Sequence, residues 1–445
     1  MSTPRTRPVD TLDLLRRYES PNVTYLDPDG TWPMVWDRAR GAHVWDVEGR
    51  RYLDLTAAFG VASAGHANPR VVRAGQSQMA RLLHAMGDVH PHALKARLAR
   101  ELSRLTFERW TTPDPLAPEK QFASGRTLFC NAGFEAVEAA LKTALLATNK
   151  PGVIAFEGAY HGLGYGALTT THREHFRSPF RRQLFEFASF APFPRTDTDL
   201  GPLETELRRC LRQGEIGAFL VEPMQARGGI RIPPAGFLPL LRRLGDEHGA
   251  LLIVDEIYTG FGRTGRWFAC EHSGVVPDLI CLGKALTGGF PLSACVGRSE
   301  LMMAAWPKST GEAIHTSTFL GHPVGCAMAL AQIRELERRE LTERSARLGL
   351  FLLSDLAALH SPRLTFQARG RGLMAGLEIR HLDGRPATEV VLTVVKRMLT
   401  RGFILLPEGE HAEVLGFTPP LTIAERDLHR VVRVLAQVLG ETVSL

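Results

Sequence analysis

The middle of the chain contains short apolar runs, each followed by glycine or polar residues. Residues 153–156, 218–221, 251–254 and 279–282 have this form. Uninterrupted apolar runs of this length are typical of strands that are buried on both faces of a parallel sheet. The stretch between 134 and 145 instead has its apolar residues at helical spacing. This alternation predicts βαβ units and an α/β fold whose sites lie at the carboxyl ends of the strands.

Patterns outside this region predict further elements. A hairpin is expected around Glu48–Gly49, where two β-rich pieces flank a turn. Helical periodicity extends over residues 69–105 with a break near 89–91, and again over about 324–359. A proline-containing loop is expected between residues 111 and 125.

Composition is typical of a globular protein. The 445 residues are too many for one small core, and the apolar fraction of 44% and charged fraction of 22% are ordinary. The net charge of +6 comes from basic residues spread along the chain without a block, so no nucleic-acid partner is predicted. Six cysteines without CxxC spacing predict reduced, buried thiols and no metal site. No apolar span reaches transmembrane length and the first twenty residues lack an apolar signal core, so we expect a cytoplasmic protein without a membrane partner.

Candidate chemistry follows two of the apolar runs. Asp255 comes directly after residues 251–254, and Lys284 follows 279–282 with one glycine between. A pyridoxal phosphate enzyme needs this pair, because the lysine amine forms a Schiff base with the cofactor and the carboxylate keeps the pyridine nitrogen protonated. Taken alone, the aspartate is more often a turn or capping residue and the lysine a solvated surface charge.

The segment between these two residues is more specific than the pair itself. It contains D-E, T-G-F-G-R-T-G, P-D and G-K, with 29 residues from Asp255 to Lys284. It resembles the class III (ω-amino acid) aminotransferases of pyridoxal phosphate fold type I, and the resemblance extends from about Trp32 to about Ile423. The resemblance implies pyridoxal 5'-phosphate as cofactor, with Asp255 as the partner of the pyridine nitrogen and Lys284 as the Schiff-base lysine.

The same resemblance implies an architecture. We expect a large domain with a mostly parallel sheet of the seven-stranded type, flanked by helices, and a small α+β domain. Residues 1–68 should contribute to the small domain and the substrate entrance. Residues 69–325 should form the large cofactor-binding domain, and residues 326–445 the C-terminal small domain.

A phosphate site is predicted where a strand ends near Cys130 and a helix begins near Phe134. A glycine turn that leads into a helix N-terminus presents free N–H groups and a positive dipole end. The segment resembles the family's N-S-G-(S/T)-E-A motif, but Ala132 stands where serine is usual and Phe134 replaces a hydroxyl residue. Phosphate binding should therefore depend on the backbone N–H groups of Gly133 and Phe134 and on the helix dipole, without help from side-chain hydroxyl groups.

Further cofactor contacts are implied by the resemblance. Tyr160, in an aromatic-then-glycine motif, should stack on the pyridine ring, and Glu222 should lie close to the cofactor. Tyr258 occupies a position where many relatives have a glutamine that faces the pyridine hydroxyl. Thr318, with Ser317 beside it, belongs to a motif that reaches the phosphate in the neighbouring subunit, which implies a homodimer with shared active sites. His322, which replaces the usual asparagine, is interpreted as structural.

Transamination between a small-molecule amino donor and an oxo acceptor is the expected reaction. A racemase or epimerase, a decarboxylase and an aminomutase of the same fold remain alternatives. A non-catalytic cofactor-binding regulator would need an additional DNA-binding module, and no segment of the sequence remains for one.

Substrate choice is expected to depend on an arginine that stands at a different position from the usual arginine of the family. Relatives that use 2-oxoglutarate commonly have a glutamate shortly after E-P-x-Q and an arginine before F-x-P-P-L. This chain has Arg227 at the first position and Gly416 at the second. Arg227 is predicted to anchor a substrate carboxylate, an interaction of roughly 1.5–3 kcal/mol. The alternative is that it points to solvent or pairs with a nearby acid such as Glu410 or Glu413.

Overall fold

The computed structural model describes residues 8–28, 30–111 and 124–443, so most of the predicted loop at 111–125 lies outside the described residues. Its strands are β1 (Trp36–Arg40), β2 (His43–Asp46), β3 (Arg51–Asp54), β4 (Gly125–Cys130), β5 (Gly152–Phe156), β6 (Ala188–Ala191), β7 (Ile216–Val221), β8 (Leu251–Asp255), β9 (Leu279–Leu282), β10 (Ser293–Arg298), β11 (Leu364–Arg371), β12 (Met374–His381), β13 (Phe403–Ile404), β14 (Leu406–Glu408) and β15 (Val414–Phe417).

The helical segments alternate with these strands through the central part of the chain. They are α1 (Pro8–Tyr18), α2 (Ala57–Gly60), α3 (Pro69–Arg81), α4 (Ala93–Leu105), α5 (Phe107–Trp110), α6 (Gly133–Thr148), α7 (Tyr165–Thr169), α8 (Glu174–Arg177), α9 (Leu200–Leu211), α10 (Phe237–His248), α11 (Ser299–Ala305), α12 (Pro323–Arg338), α13 (Leu341–Ala357), α14 (Thr388–Thr400) and α15 (Glu425–Val443).

The largest sheet has seven strands in the order β4-β10-β9-β8-β7-β5-β6. Strands β6, β5, β7, β8 and β9 run parallel, and β10 pairs antiparallel with both β9 and β4. The predicted fold class is confirmed: the chain is α/β, with a mostly parallel seven-stranded sheet and smaller sheets beside it.

Alternate residues of the buried strands pack into two separate cores. In β8, Leu252 and Val254 face the core that contains Leu241 of α10, whereas Ile253 faces the core that contains Ala140 of α6. Each strand is therefore covered on both sides, which explains why its sequence is apolar throughout instead of alternating. The four apolar runs all form strands of this sheet.

Two four-stranded sheets complete the fold. One has the order β1-β2-β3-β13 and contains the predicted hairpin, β2 to β3; its last strand comes from the C-terminal part of the chain. The other, β11-β12-β15-β14, is antiparallel. The domain boundaries after residues 68 and 325 stay predictions.

One helix prediction was wrong in its continuity. The helical pattern over about 324–359 forms two helices, α12 and α13, separated at Arg339 and Glu340. Glu340 has a left-handed backbone with φ of 48°, which ends one helix before the next begins. His322 is the N-cap of α12, where its Nδ1 accepts a hydrogen bond from the Val324 N–H.

The cysteines are all free thiols, five of them buried and Cys210 partly so. Among the described residues, no helix combines the length and the apolar character needed to cross a membrane.

Candidate active site

A cavity of about 580 Å³ opens at the carboxyl ends of the parallel strands. Tyr160 reaches it from the loop after β5, Glu222 from the end of β7, Asp255 from the last position of β8 and Lys284 from just beyond β9. These strands are neighbours in the sheet, so their ends meet along one edge. The topology thereby brings together four predicted site residues that are far apart in the sequence.

Lys284 projects its amine into this cavity from a strained position. Its backbone φ of 41° is left-handed, an uncommon conformation for a residue with a side chain, and such strain is typical of functional sites. The Nζ atom lies 4.5 Å from the centroid of the Tyr258 ring. Enclosure by protein lowers the pKa of the Lys284 amine, against the opposing influence of the carboxylates of Asp255 and Glu222. A larger fraction of the amine is therefore uncharged at neutral pH than for a lysine in water.

Asp255 is held by two hydrogen bonds. The Asp255 Oδ2 lies 2.8 Å from Nδ1 of His161, and its Oδ1 accepts from the Ile257 N–H at 3.0 Å. Asp255 and His161 are both at least 95% buried, and the Nε2 of His161 has no hydrogen-bond partner among the described residues. The partners fix the orientation of the carboxylate. The interpretation of the sequence missed His161, although it directly follows Tyr160.

Glu222 also lines the cavity, and backbone groups hold its carboxylate. It accepts hydrogen bonds from the N–H groups of Tyr160 at 3.0 Å and Ala226 at 3.1 Å. Burial raises the pKa of Glu222 to about 7, so near neutrality the residue exists in both protonation states.

The N-terminus of α6 faces the same cavity through Gly133 and Phe134. Its N-cap, Ala132, makes no side-chain cap hydrogen bond, so none of the first N–H groups is satisfied by that side chain. The loop that contains Gly162 packs closely against the first turn of this helix. A Cβ at Gly162 would lie 2.3 Å from the Cβ of Phe134. A compact anion could bind these N–H groups and the positive end of the helix dipole.

Two tyrosines and a left-handed turn form the walls. The Tyr160 ring packs edge-on against Phe176, with centroids 5.5 Å apart, and the Tyr258 hydroxyl lies 3.2 Å from Oγ1 of Thr418. Burial raises the pKa of Tyr258 to about 12, which keeps the phenol protonated. Phe59, with φ of 61°, lines the cavity from α2 and is half exposed.

Ser317 and Thr318 are not among the described residues that line the cavity. Both are exposed, and Ser317 accepts a hydrogen bond from Asn131 Nδ2 at 3.3 Å. Large apolar side chains around this segment are also exposed, including Ile314 at 66% and Phe319 at 53%. Within one chain, Thr318 therefore does not line this cavity.

Arg227 lines the cavity, and it also lies beside a nearby acid, as the alternative expected, although this acid is neither of the two named examples. Its Nε lies 3.7 Å from Oε2 of Glu408, on β14, and not beside Glu410 or Glu413. Glu408 was missed because nothing in its local sequence marks it. Strand pairing explains the contact: β14 lies beside β15, and a Cβ at Gly416 would be 3.0 Å from Cγ of Glu408. The missing side chain at Gly416 leaves room for the carboxylate.

This arrangement fits pyridoxal phosphate in each of its parts. The uncapped helix N-terminus suits the phosphate, the Lys284 amine suits the aldehyde, and the fixed Asp255 carboxylate suits a ring nitrogen. The Tyr160 side chain provides an aromatic wall between them.

Comparisons with known proteins agree with this fit. The family model described as Aminotransferase class-III matches residues 25–439. The chain is 35% identical to the acetylornithine aminotransferase of Methanosarcina mazei, over 92% of each protein. It is 36% identical to the putrescine aminotransferase of Pectobacterium atrosepticum, over 97% of this chain and 88% of that protein. A structure of ornithine aminotransferase from Toxoplasma gondii, which has partial occupancy of pyridoxal phosphate at its active site, matches with a TM-score of 0.82 at 27% identity, over 99% of this chain and 96% of that one.

Proposed function

The chain belongs to the class III aminotransferase family, whose members use pyridoxal phosphate, and from that premise we propose the reaction and the roles of its residues. The reaction is transfer of an amino group between an amino acid or amine and a 2-oxo acid or aldehyde. The observation that carries the proposal is the shared cavity of Lys284, Asp255 and the N-terminus of α6. An amine, a fixed carboxylate and an anion-binding helix end are the three groups that the cofactor requires.

Lys284 holds the cofactor and moves the proton. Bound in the cavity, pyridoxal phosphate supplies an aldehyde that takes up the amino group and a ring that accepts electrons from the reacting carbon. The lowered pKa of the Lys284 amine increases the uncharged fraction, which is the form that acts as the nucleophile. Once the substrate amine has displaced it, the Lys284 Nζ takes the proton from the substrate carbon that carries nitrogen.

Asp255 keeps the ring nitrogen protonated, and His161 positions Asp255. A buried carboxylate close to a ring N–H stabilises the charge that develops in the reaction because the site is enclosed. The hydrogen bond from His161 restricts the rotation of this carboxylate. Glu222 and Tyr258 contact the cofactor from the sides, and Tyr160 stacks on its ring.

The phosphate binds at Ala132, Gly133 and Phe134 through backbone N–H groups. Ser317 and Thr318 reach the phosphate of the neighbouring subunit, so the enzyme is a homodimer with shared active sites. The exposure of Thr318 and of the apolar side chains beside it supports this assignment. Mixed dimers of a Lys284→Ala and a Thr318 variant should recover about half of the activity per dimer, because one of the two sites is then intact. Mixed dimers that form but show no recovery would contradict sharing.

Amino transfer itself is tested by its two half-reactions. The holoenzyme is mixed with single amines and amino acids, then with single oxo acids, and the cofactor absorbance is followed. Transamination predicts that a donor bleaches the absorbance and an oxo acid restores it, with the new amine found in solution. Turnover that returns only the enantiomer or carbon dioxide would favour a racemase or a decarboxylase instead.

Arg227 anchors the carboxylate of an amino acid or oxo acid substrate. It lines the cavity, lies 5.6 Å from the Tyr160 ring centroid and carries several N–H donors besides the Nε that faces Glu408. The names of the relatives do not decide this point, since acetylornithine has a carboxylate and putrescine has none. Arg227→Ala should lower kcat/KM selectively for carboxylate-bearing donors. An equal effect on simple amines would refute the role.

A further inference from the structure

Glu408 is a buried carboxylate beside the substrate cavity, and the proposed reaction gives it no role. Only 5% of its surface is exposed, at the end of β14. The titratable and charged groups that face it come from four segments: Glu222 and Arg227 follow β7, Arg173 precedes α8, Lys284 follows β9 and Tyr258 follows β8. Three cations and a second carboxylate therefore surround it.

The contact between Arg227 and Glu408 is loose. The 3.7 Å between Nε and Oε2 is longer than a hydrogen bond, and this buried Nε has no hydrogen-bond partner among the described residues. The backbone around the pair is held more firmly. Arg173 Nη2 donates to the carbonyl oxygens of Arg227, at 3.1 Å, and Gly409. The scaffold is thus fixed, while the ionic contact inside it can be exchanged for another.

We propose that Glu408 is the resident counterion of Arg227, and that a carboxylate-bearing substrate takes over the guanidinium while Glu408 takes up one proton from solvent. The inference rests on the proposed function of Arg227 as the carboxylate anchor. One solvent proton binds to Glu408, which becomes neutral. The substrate carboxylate stays ionised and takes the place of the Glu408 charge beside Arg227. Glu408 thereby becomes a specificity-determining residue that separates carboxylate substrates from simple amines according to pH.

Electrostatics sets the direction of this effect. Burial raises the pKa of Glu408 to about 7, and Arg227 and Arg173 oppose that rise. A second carboxylate at Arg227 repels an ionised Glu408, so the pKa of Glu408 is higher in the complex than in the free enzyme. Carboxylate affinity is then greatest below about pH 7 and falls as the pH rises, by at most roughly tenfold per pH unit, until the pKa of the complex is passed. Amines without a carboxylate do not experience this change.

The test uses pentanoate, which has a carboxylate but no amine and so cannot react. Its binding to the holoenzyme is measured by calorimetry between about pH 6 and pH 8, in buffers of different ionisation enthalpy. The wild-type enzyme should take up protons on binding and lose affinity severalfold over this range. Glu408→Gln should bind pentanoate more tightly than wild type at pH 8, with a weaker pH dependence and less proton uptake than wild type, although Glu222 in the same cavity still titrates near pH 7. Glu410→Gln, which removes an exposed charge from the same hairpin, should behave as wild type.

The outcomes separate this inference from the proposal on which it rests. If Arg227→Ala binds pentanoate as well as wild type does, the anchor itself is wrong. If Arg227→Ala loses binding but wild type takes up no proton, only the role of Glu408 is overturned, and this result does not depend on whether a Glu408 variant folds. Proton uptake that is undiminished in Glu408→Gln relative to wild type would overturn it equally.

Discussion

Changing Ala132 to serine tests the assignment of the α6 N-terminus as the phosphate site. Ala132 occupies the N-cap with φ of −106° and ψ of 157°, the extended conformation that a capping serine needs, and it makes no side-chain cap bond. A serine hydroxyl can accept from a free N–H when the site is empty and donate to the phosphate when it is filled. An alanine-to-serine change at an N-cap is worth about 1 kcal/mol of stability.

The same change should strengthen cofactor binding. One added hydrogen bond of net value about 0.7–1.4 kcal/mol corresponds to a roughly threefold to tenfold lower dissociation constant for pyridoxal phosphate. Equilibrium titration of the apoenzyme measures this constant, and thermal unfolding of the apoenzyme measures the cap. Ala147→Ser, near the other end of α6, is the control and should lose a few tenths of a kcal/mol without a change in cofactor affinity. If Ala132→Ser leaves the affinity unchanged or weakens it, the phosphate does not bind at this helix end.

Three other substitutions test the framework of the site. His161→Leu should lower kcat roughly tenfold to hundredfold, the equivalent of losing a 1.5–3 kcal/mol hydrogen bond to Asp255, and His161→Asn should recover part of it; equal losses would point to packing alone. Gly162→Ala combines a φ of +118° with a Cβ clash and should weaken cofactor binding in equilibrium titrations, whereas wild-type affinity would contradict the packing. Arg263→Met removes a fully buried guanidinium that donates to two carbonyl groups and a hydroxyl, and should cost roughly 1–3 kcal/mol in denaturant unfolding because these acceptors lose their donor, against almost nothing for the exposed Arg266→Met.

Local patterns predict the sheet and the positions of its site residues well, for a physical reason. Strands buried on both faces must be apolar throughout, so β7, β8 and β9 are visible as uninterrupted runs. Parallel strands also align their carboxyl ends, which places Asp255 and Lys284 at one edge once their strands are identified. The family motifs extend this to Arg227, which does line the cavity.

Contacts between distant segments escape such reasoning. His161 and Asp255 are 94 positions apart, and their hydrogen bond depends on how the loop after β5 meets the end of β8. Glu408 approaches Arg227 because β14 pairs with β15 and Gly416 leaves space, neither of which is visible in the periodicity of the sequence. The end of α12 at Arg338 is likewise missed, because an apolar helical pattern continues through the left-handed Glu340.

The account depends most directly on the covalent attachment of the cofactor at Lys284. The holoenzyme is treated with borohydride, digested and mapped by mass spectrometry, alongside Lys284→Ala. We expect a yellow wild-type protein with reduced cofactor on the peptide that contains Lys284, and no covalently fixed cofactor in the variant. Cofactor fixed on another lysine in the wild-type enzyme, or still fixed in Lys284→Ala, would contradict the assignment of this site.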